Sequence, residues 1–193
     1  MPTPSESALP VHTVVARPAT REAFAPFGTL LRAEGERRSI DMYGSTLDVF
    51  RGGPIDADVP VEFLISRSTI REFRVTFLER HHKLAQSFLA LGGSSFVVAV
   101  ARPDARLEHD VPALDEIHAF IVPGDCVATI HRGTWHEPPF PLVDGQIRVT
   151  TTHAELTAGL EHGIDAQGDI GGRDVDKREI TSRAGAVVRI GLP

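Results

Sequence analysis

Residues 73–101, FRVTFLERHHKLAQSFLALGGSSFVVAVA, decide the fold. They cover most of the run 70–81 and all of the runs 86–91 and 96–101, each rich in β-branched, aromatic and aliphatic residues and separated by short polar or glycine-bearing breaks such as Gly92-Gly93-Ser94-Ser95. Runs of this length between turn residues read as β-strands. Successive strand side chains point to opposite faces, so Phe73, Val75, Phe77, Glu79 and His81 form one row. An apolar row that continues into a carboxylate and an imidazole is costly to bury unless the pair is matched, metal-bound or set in a wet cavity, so the row is expected to end at a site. The competing expectation is a strand that emerges into solvent at Glu79.

Further strand-like runs occur at 61–66, 117–122, 126–131 and 147–153, with Pro123-Gly124-Asp125 as a turn. Many short strands at such spacing indicate an all-β sandwich or barrel. Residues 102–115 are polar and proline-bearing and suit a long surface loop. Thr20 before Arg21-Glu22-Ala23-Phe24 reads as an N-cap and one helical turn, stopped by Pro26 and Gly28. Residues 1–18, rich in Pro, Ser and Thr, read as an arm or an edge strand around 11–15. Residues 19–193 read as a single domain. The glycine-rich, acidic stretch 156–176 lacks strand or helix periodicity and reads as a loop or lid, and 186–190 could return as an edge strand.

The 193 residues suffice for one domain with a core, and 41% hydrophobic with 24% charged residues is ordinary globular usage. A formal charge of -6 gives no sustained basic surface, so no nucleic-acid partner is expected. The longest apolar stretch, 87–101, is broken by Gly92-Gly93 and is too short to span a bilayer. The N-terminal residues have neither a basic start nor a long apolar centre, so a cytoplasmic protein is expected. The one cysteine, Cys126, rules out an intrachain disulfide and lies in an apolar run, where a buried, inert thiol is the natural reading.

Histidines supply the remaining chemistry. His131, Trp135 and His136, with Pro138-Pro139, make a wall with polar handles. His82, adjacent to His81, points to the opposite face, and His12, His109, His118 and His162 sit in polar or edge surroundings. His153 shares a face with Ile147, Val149 and Thr151 and could enter a cavity.

Glu79-x-His81-x4-Gln86-x6-Gly93 has the spacing of the first cupin motif, with Glu79 in its first His position and Gln86 in its Glu position. Gly124 followed by His131-Arg132-Gly133-Thr134-Trp135-His136 approximates the second motif, with His136 in the last metal-binding place. The chain resembles the ureidoglycolate lyases more closely still: Glu79-Arg80-His81, Gln86-Ser87-Phe88, His131-Arg132-Gly133-Thr134-Trp135-His136-Glu137-Pro138 and the opening Phe24-Ala25-Pro26-Phe27-Gly28 follow in that family's order. The resemblance covers roughly residues 14–153 and ends before the glycine-rich segment.

The resemblance implies a cupin-like double-stranded β-helix, or jelly-roll barrel, with a few short helices. It also implies cleavage of (S)-ureidoglycolate to glyoxylate and urea, and a homodimer. His81, His131, His136 and Glu79 are the candidate catalytic residues. Arg67, Arg80, Arg132, Gln86 and Trp135 are the candidate binders of a small carboxylate substrate, with a guanidinium able to hold the carboxylate bidentately. By parity Arg80 should face outward. Glu79, His81, Gln86 and His136 form a possible site for a divalent manganese, nickel or zinc ion. No organic cofactor is expected, because the cleavage is not a redox reaction. Two other functions fit the same barrel: a lyase or isomerase for another small hydroxy or oxo acid, and a ligand-binding cupin without turnover.

Overall fold

The computed structural model describes residues 8–34, 37–40, 47–50, 52, 54–154, 169–172 and 174–193. Two sheets face each other. The larger orders its strands as Ile170–Gly171, Val175–Glu179, Phe77–His81, Trp135–His136, Phe96–Ala101, His118–Val122 and Arg17–Pro18, with Phe140–Pro141 also paired to Phe96–Ala101. The smaller runs Gly28–Leu31, Val127–Ile130, Gln86–Leu91, Gln146–Thr152 and Glu62–Ser68. From Phe77 onward the chain crosses between the sheets at almost every strand. This alternation leaves 77–81, 135–136, 96–101 and 118–122 as neighbours on one side, and 62–68, 146–152, 86–91 and 127–130 on the other. That order is the pair of interleaved Greek keys of a jelly roll.

Alternation within each strand sets what fills the barrel. Phe88, Ala90, Val98, Val100, Phe120, Ala128 and Ile130 point inward and pack into one cluster. Phe24, on the short helix Arg21–Phe24, stands edge-on to Phe120 at 5.3 Å. That helix begins where expected, with the Thr20 hydroxyl accepting from the Ala23 amide at 3.1 Å. Cys126 is buried in this cluster, and burial pushes its thiol up to about 11, so it stays protonated as expected.

The strand Phe96–Ala101 is buried on both faces. Its other side, Val97, Ala99 and Ala101, packs with Leu78, Trp135 and Phe140 against Val14, Val188 and Ile190. The covering layer is a three-stranded sheet in which Val187–Gly191 lies between Val11–Val15, to which it is parallel, and Arg74–Val75. Thus 187–191 is a central strand rather than an edge strand, and 11–15 takes the edge.

Two segments carry more structure than their composition suggests. Within 102–115 a small hairpin pairs Leu107–Glu108 with Val111–Pro112, its tip residues His109 and Asp110 at φ of 52° and 68°, and a 3-10 turn covers Leu114–Glu116. Of the stretch 156–176 read as a loop, 156–168 and 173 lie outside the described residues. The rest includes Ile170–Gly171 and the start of Val175–Glu179, a hairpin docked on Phe77–His81. No described helix is long and apolar enough to cross a membrane.

The glycines of the two motifs meet in space. A Cβ on Gly124 would lie 1.9 Å from the carbonyl oxygen of Gly93, so only glycine lets these turns approach. Gly124→Ala is expected to cost about 1–3 kcal/mol through forced backbone movement. Thermal unfolding should show it as a fall in Tm of roughly 2–4 °C per kcal/mol, and an unchanged Tm would mean that the turns separate freely.

Candidate active site

Three strands bring the site together. Phe77–His81 carries Glu79 and His81, Trp135–His136 sits beside it with His136 opposite Glu79, and Gln86 opens the middle strand of the facing sheet. His81, His136 and Gln86 are 2%, 1% and 3% exposed, so the polar row ends inside the barrel and not in solvent. Glu79 Oε1 stands 3.7 Å from His81 Nε2 and 3.6 Å from His136 Nε2. The two imidazole rings are 5.3 Å apart.

The tautomer of His136 follows from its surroundings. Burial, the dominant influence, holds its pKa down to about 4, so the ring is neutral near pH 7 and has a single N–H. Nδ1 donates to the Thr134 carbonyl at 2.9 Å. Nε2 lies 2.8 Å from Gln86 Oε1, a second acceptor; with Nδ1 holding the one proton, the carboxamide is assigned with its NH2 toward the ring, donating to Nε2. A backbone carbonyl that fixes the proton on one nitrogen and keeps the ring neutral is the arrangement of a histidine that binds a metal or accepts a proton.

Burial also opposes ionisation of Glu79, but His81, His136 and Lys177 outweigh it and the carboxyl pKa lies below its ordinary value. Neither ring nitrogen of His81 has a hydrogen-bond partner, and the same holds for the buried hydroxyl of Thr152. Buried polar atoms are nearly always matched, so these are the atoms in the barrel that a ligand would match. The carboxylate oxygen and the two imidazole nitrogens lie within 4.8 Å of one another, compatible with one divalent ion.

Other residues singled out in the sequence lie elsewhere. His131 is exposed just beyond the strand Val127–Ile130, its amide bonded to the Phe27 carbonyl. Arg67 is on the exposed outer face of Glu62–Ser68. Arg80 faces away from Glu79, held by Asp176 at 2.8 and 3.0 Å, with its guanidinium 4.4 Å from the centre of the Trp135 ring. Trp135 is fully buried in the outer cluster. Arg132 pairs with Asp56 and Asp58.

Sequence reasoning undervalued two neighbours. His153 is buried edge-on to His81, 5.8 Å between ring centres, because it follows the last paired residue of Gln146–Thr152 and leaves the strand's alternation. Glu137, next to His136, is 5% exposed, pairs with Arg71 at 2.8 Å and accepts from the Thr76 amide at 2.9 Å. Burial pushes its carboxyl up to about 7. It ties the strand of His136 to the start of the strand of Glu79, and its position directly after that histidine was the available signal.

A jelly-roll barrel with two histidines and a carboxylate on its inner face, set by two glycine-punctuated motifs, is a cupin-type protein. The ureidoglycolate lyase family model matches residues 11–157. Among curated proteins, the chain is 31% identical over 133 residues to a ureidoglycolate lyase of Pseudomonas fluorescens (strain Pf0-1), covering 66% of this chain and 77% of that protein. Ureidoglycolate lyases of Pseudomonas paraeruginosa (31% identical) and Azotobacter vinelandii (30%) match over 66% of this chain and 76% of theirs. The chain belongs to the ureidoglycolate lyase family. A solved structure of RmlC from Streptococcus suis in complex with dTDP-D-xylose aligns over 55% of this chain and 56% of that one, at 10% identity and a TM-score of 0.30, a distant likeness.

Proposed function

We propose that the protein cleaves (S)-ureidoglycolate to glyoxylate and urea. The observation that carries the reading is the inward cluster of Glu79, His81 and His136, with both nitrogens of His81 without a hydrogen bond. The substrate carries a hydroxyl, a carboxylate and a ureido nitrogen on one carbon. His136 Nε2 takes the hydroxyl proton, the oxygen becomes the carbonyl of glyoxylate, and the C–N electron pair leaves with the ureido nitrogen. His81 delivers the proton that completes urea. Glu79, ionised and within 3.7 Å of both imidazoles, stabilises whichever of them is charged during the exchange. Gln86 holds the His136 ring in place.

Glu79, His81 and His136, with Gln86 as a weaker fourth ligand, suit manganese, nickel or zinc, and the unmatched nitrogens of His81 favour that fit. A bound ion would supply Lewis-acid polarisation of the substrate hydroxyl. The same reading includes cytoplasmic residence and a homodimer. Phe63 and Ile65, 70% and 74% exposed on the outer face of the smaller sheet, are apolar surface that a second copy would cover.

The test is glyoxylate release from each enantiomer by the purified protein, against a control without enzyme. Enantioselective turnover is expected. No acceleration, with or without added divalent ion, sinks the lyase reading. Full activity after chelation and metal-free dialysis removes the ion from it.

A further inference from the structure

The family model ends at residue 157, yet the strand Val175–Glu179 lies directly beside the strand that carries Glu79 and His81. Its register is Val175 opposite His81, Asp176 opposite Arg80 and Lys177 opposite Glu79. Residues directly opposite in an antiparallel pair share a face, so Lys177 joins Glu79 and His81 on the inner side of the barrel, while Asp176 faces outward with Arg80. Lys177 is 9% exposed and its ammonium sits 4.4 Å from the centre of the Phe77 ring, one more member of the same row. Its charge is felt at Glu79.

This strand changes the choice of cations near the reacting centre. Asp176 binds the Arg80 guanidinium on the outer face. Arg67 and Arg132 lie on the surface, the second bound by Asp56 and Asp58. The substrate's carboxylate is bonded to the carbon that reacts, so the group that receives it must lie beside the two histidines. An ammonium on a four-carbon stem can reach an anion placed over Glu79 and His81, and a largely water-free wall strengthens that attraction.

We infer that Lys177, supplied from outside the family-matched residues, receives the carboxylate of the substrate and sets a preference for small 2-hydroxy and 2-oxo monocarboxylates. The inference rests on the proposed lyase reading for the identity of the substrate, but its test does not depend on turnover. Glyoxylate binding to the full-length protein is measured by titration calorimetry, alongside KM and kcat for ureidoglycolate. Lys177→Met, which keeps the stem and removes the charge, is expected to raise the Kd for glyoxylate and the KM at least about tenfold with kcat within a few-fold of wild type. Lys177→Arg should restore most of the affinity. If Lys177→Met does not fold, Lys177→Gln takes its place.

An unchanged glyoxylate Kd in a folded, uncharged variant overturns the inference. So does a fall in kcat at constant KM, which would mean that Lys177 acts only through Glu79. Wild-type protein that binds glyoxylate through Lys177 yet leaves ureidoglycolate intact would sink the lyase reading and keep this one. Wild-type protein that cleaves ureidoglycolate while its affinity for glyoxylate ignores Lys177 would do the reverse.

Discussion

His136→Asn is expected to lower turnover of ureidoglycolate by roughly 10²- to 10⁴-fold, the range typical of a positioned general base. Asparagine preserves an N–H for the Thr134 carbonyl and most of the buried volume, but it removes the basic Nε2 that faces Gln86 and Glu79. The fold should survive, read as an unchanged far-ultraviolet circular dichroism spectrum and a cooperative melt. His81→Ala should fall by at least a hundredfold on the same grounds, because its unmatched nitrogens contribute little to stability. Neither loss should be recovered by raising substrate concentration, since both groups act on the bond being broken rather than on binding. Rates near wild type in both variants would take the histidines out of the mechanism and leave the barrel without a base.

The second large effect concerns stability. Deleting residues 169–193 is expected to abolish cooperative folding. Ile180, Val188 and Ile190 are buried against the outer side of the large sheet, and Val187 is buried as well. Burial of each such side chain stabilises by about 1.5–3 kcal/mol, so four together approach the 5–15 kcal/mol that separates a folded domain from its unfolded chain. The deletion would also leave Trp135, Phe140 and Val97 facing water as one apolar surface. Val188→Asp tests the same layer with one substitution: a carboxylate at a fully buried position in the middle strand should lower the melting temperature steeply. A truncated chain that stays monomeric and melts within a few degrees of the whole protein would make the third layer dispensable.

The barrel was legible because its strands obey their own chemistry. Phe96 to Ala101 is apolar at every position and is buried on both faces, and within Phe77–His81 the residues Phe77, Glu79 and His81 share one face; the expected longer row breaks at Thr76, since Phe73 and Val75 belong to the outer cluster with the sheet of Val187–Gly191. Both ionisable groups therefore fall on the inner face by counting alone. The same count sends Arg80 outward, where it lies, so the sequence held the reason why that arginine does not meet the histidines. His131 and Arg132 defeat counting because the strand before them ends at Ile130 and the chain turns through Gly133 at φ 76°. Val175–Glu179 could not be read as a strand from its residues, since Val-Asp-Lys-Arg-Glu holds a single apolar side chain. Its conformation comes from the partner edge of Phe77–His81, a tertiary influence that routinely overrides local preference.

The parallel pairing of Val11–Val15 with Val187–Gly191 bears on how the molecule is made. The strand Val11–Val15 must wait for one about 176 residues later, Val11 for Val187, before its backbone groups on that side are matched. Contacts so remote in sequence are slow to form because the loop they close is long. The nascent chain can therefore assemble the two inner sheets while still on the ribosome, but their outer apolar side stays bare until the last strand emerges. Recovery from denaturant should accordingly depend on protein concentration, with dilution or a holding chaperone raising the yield.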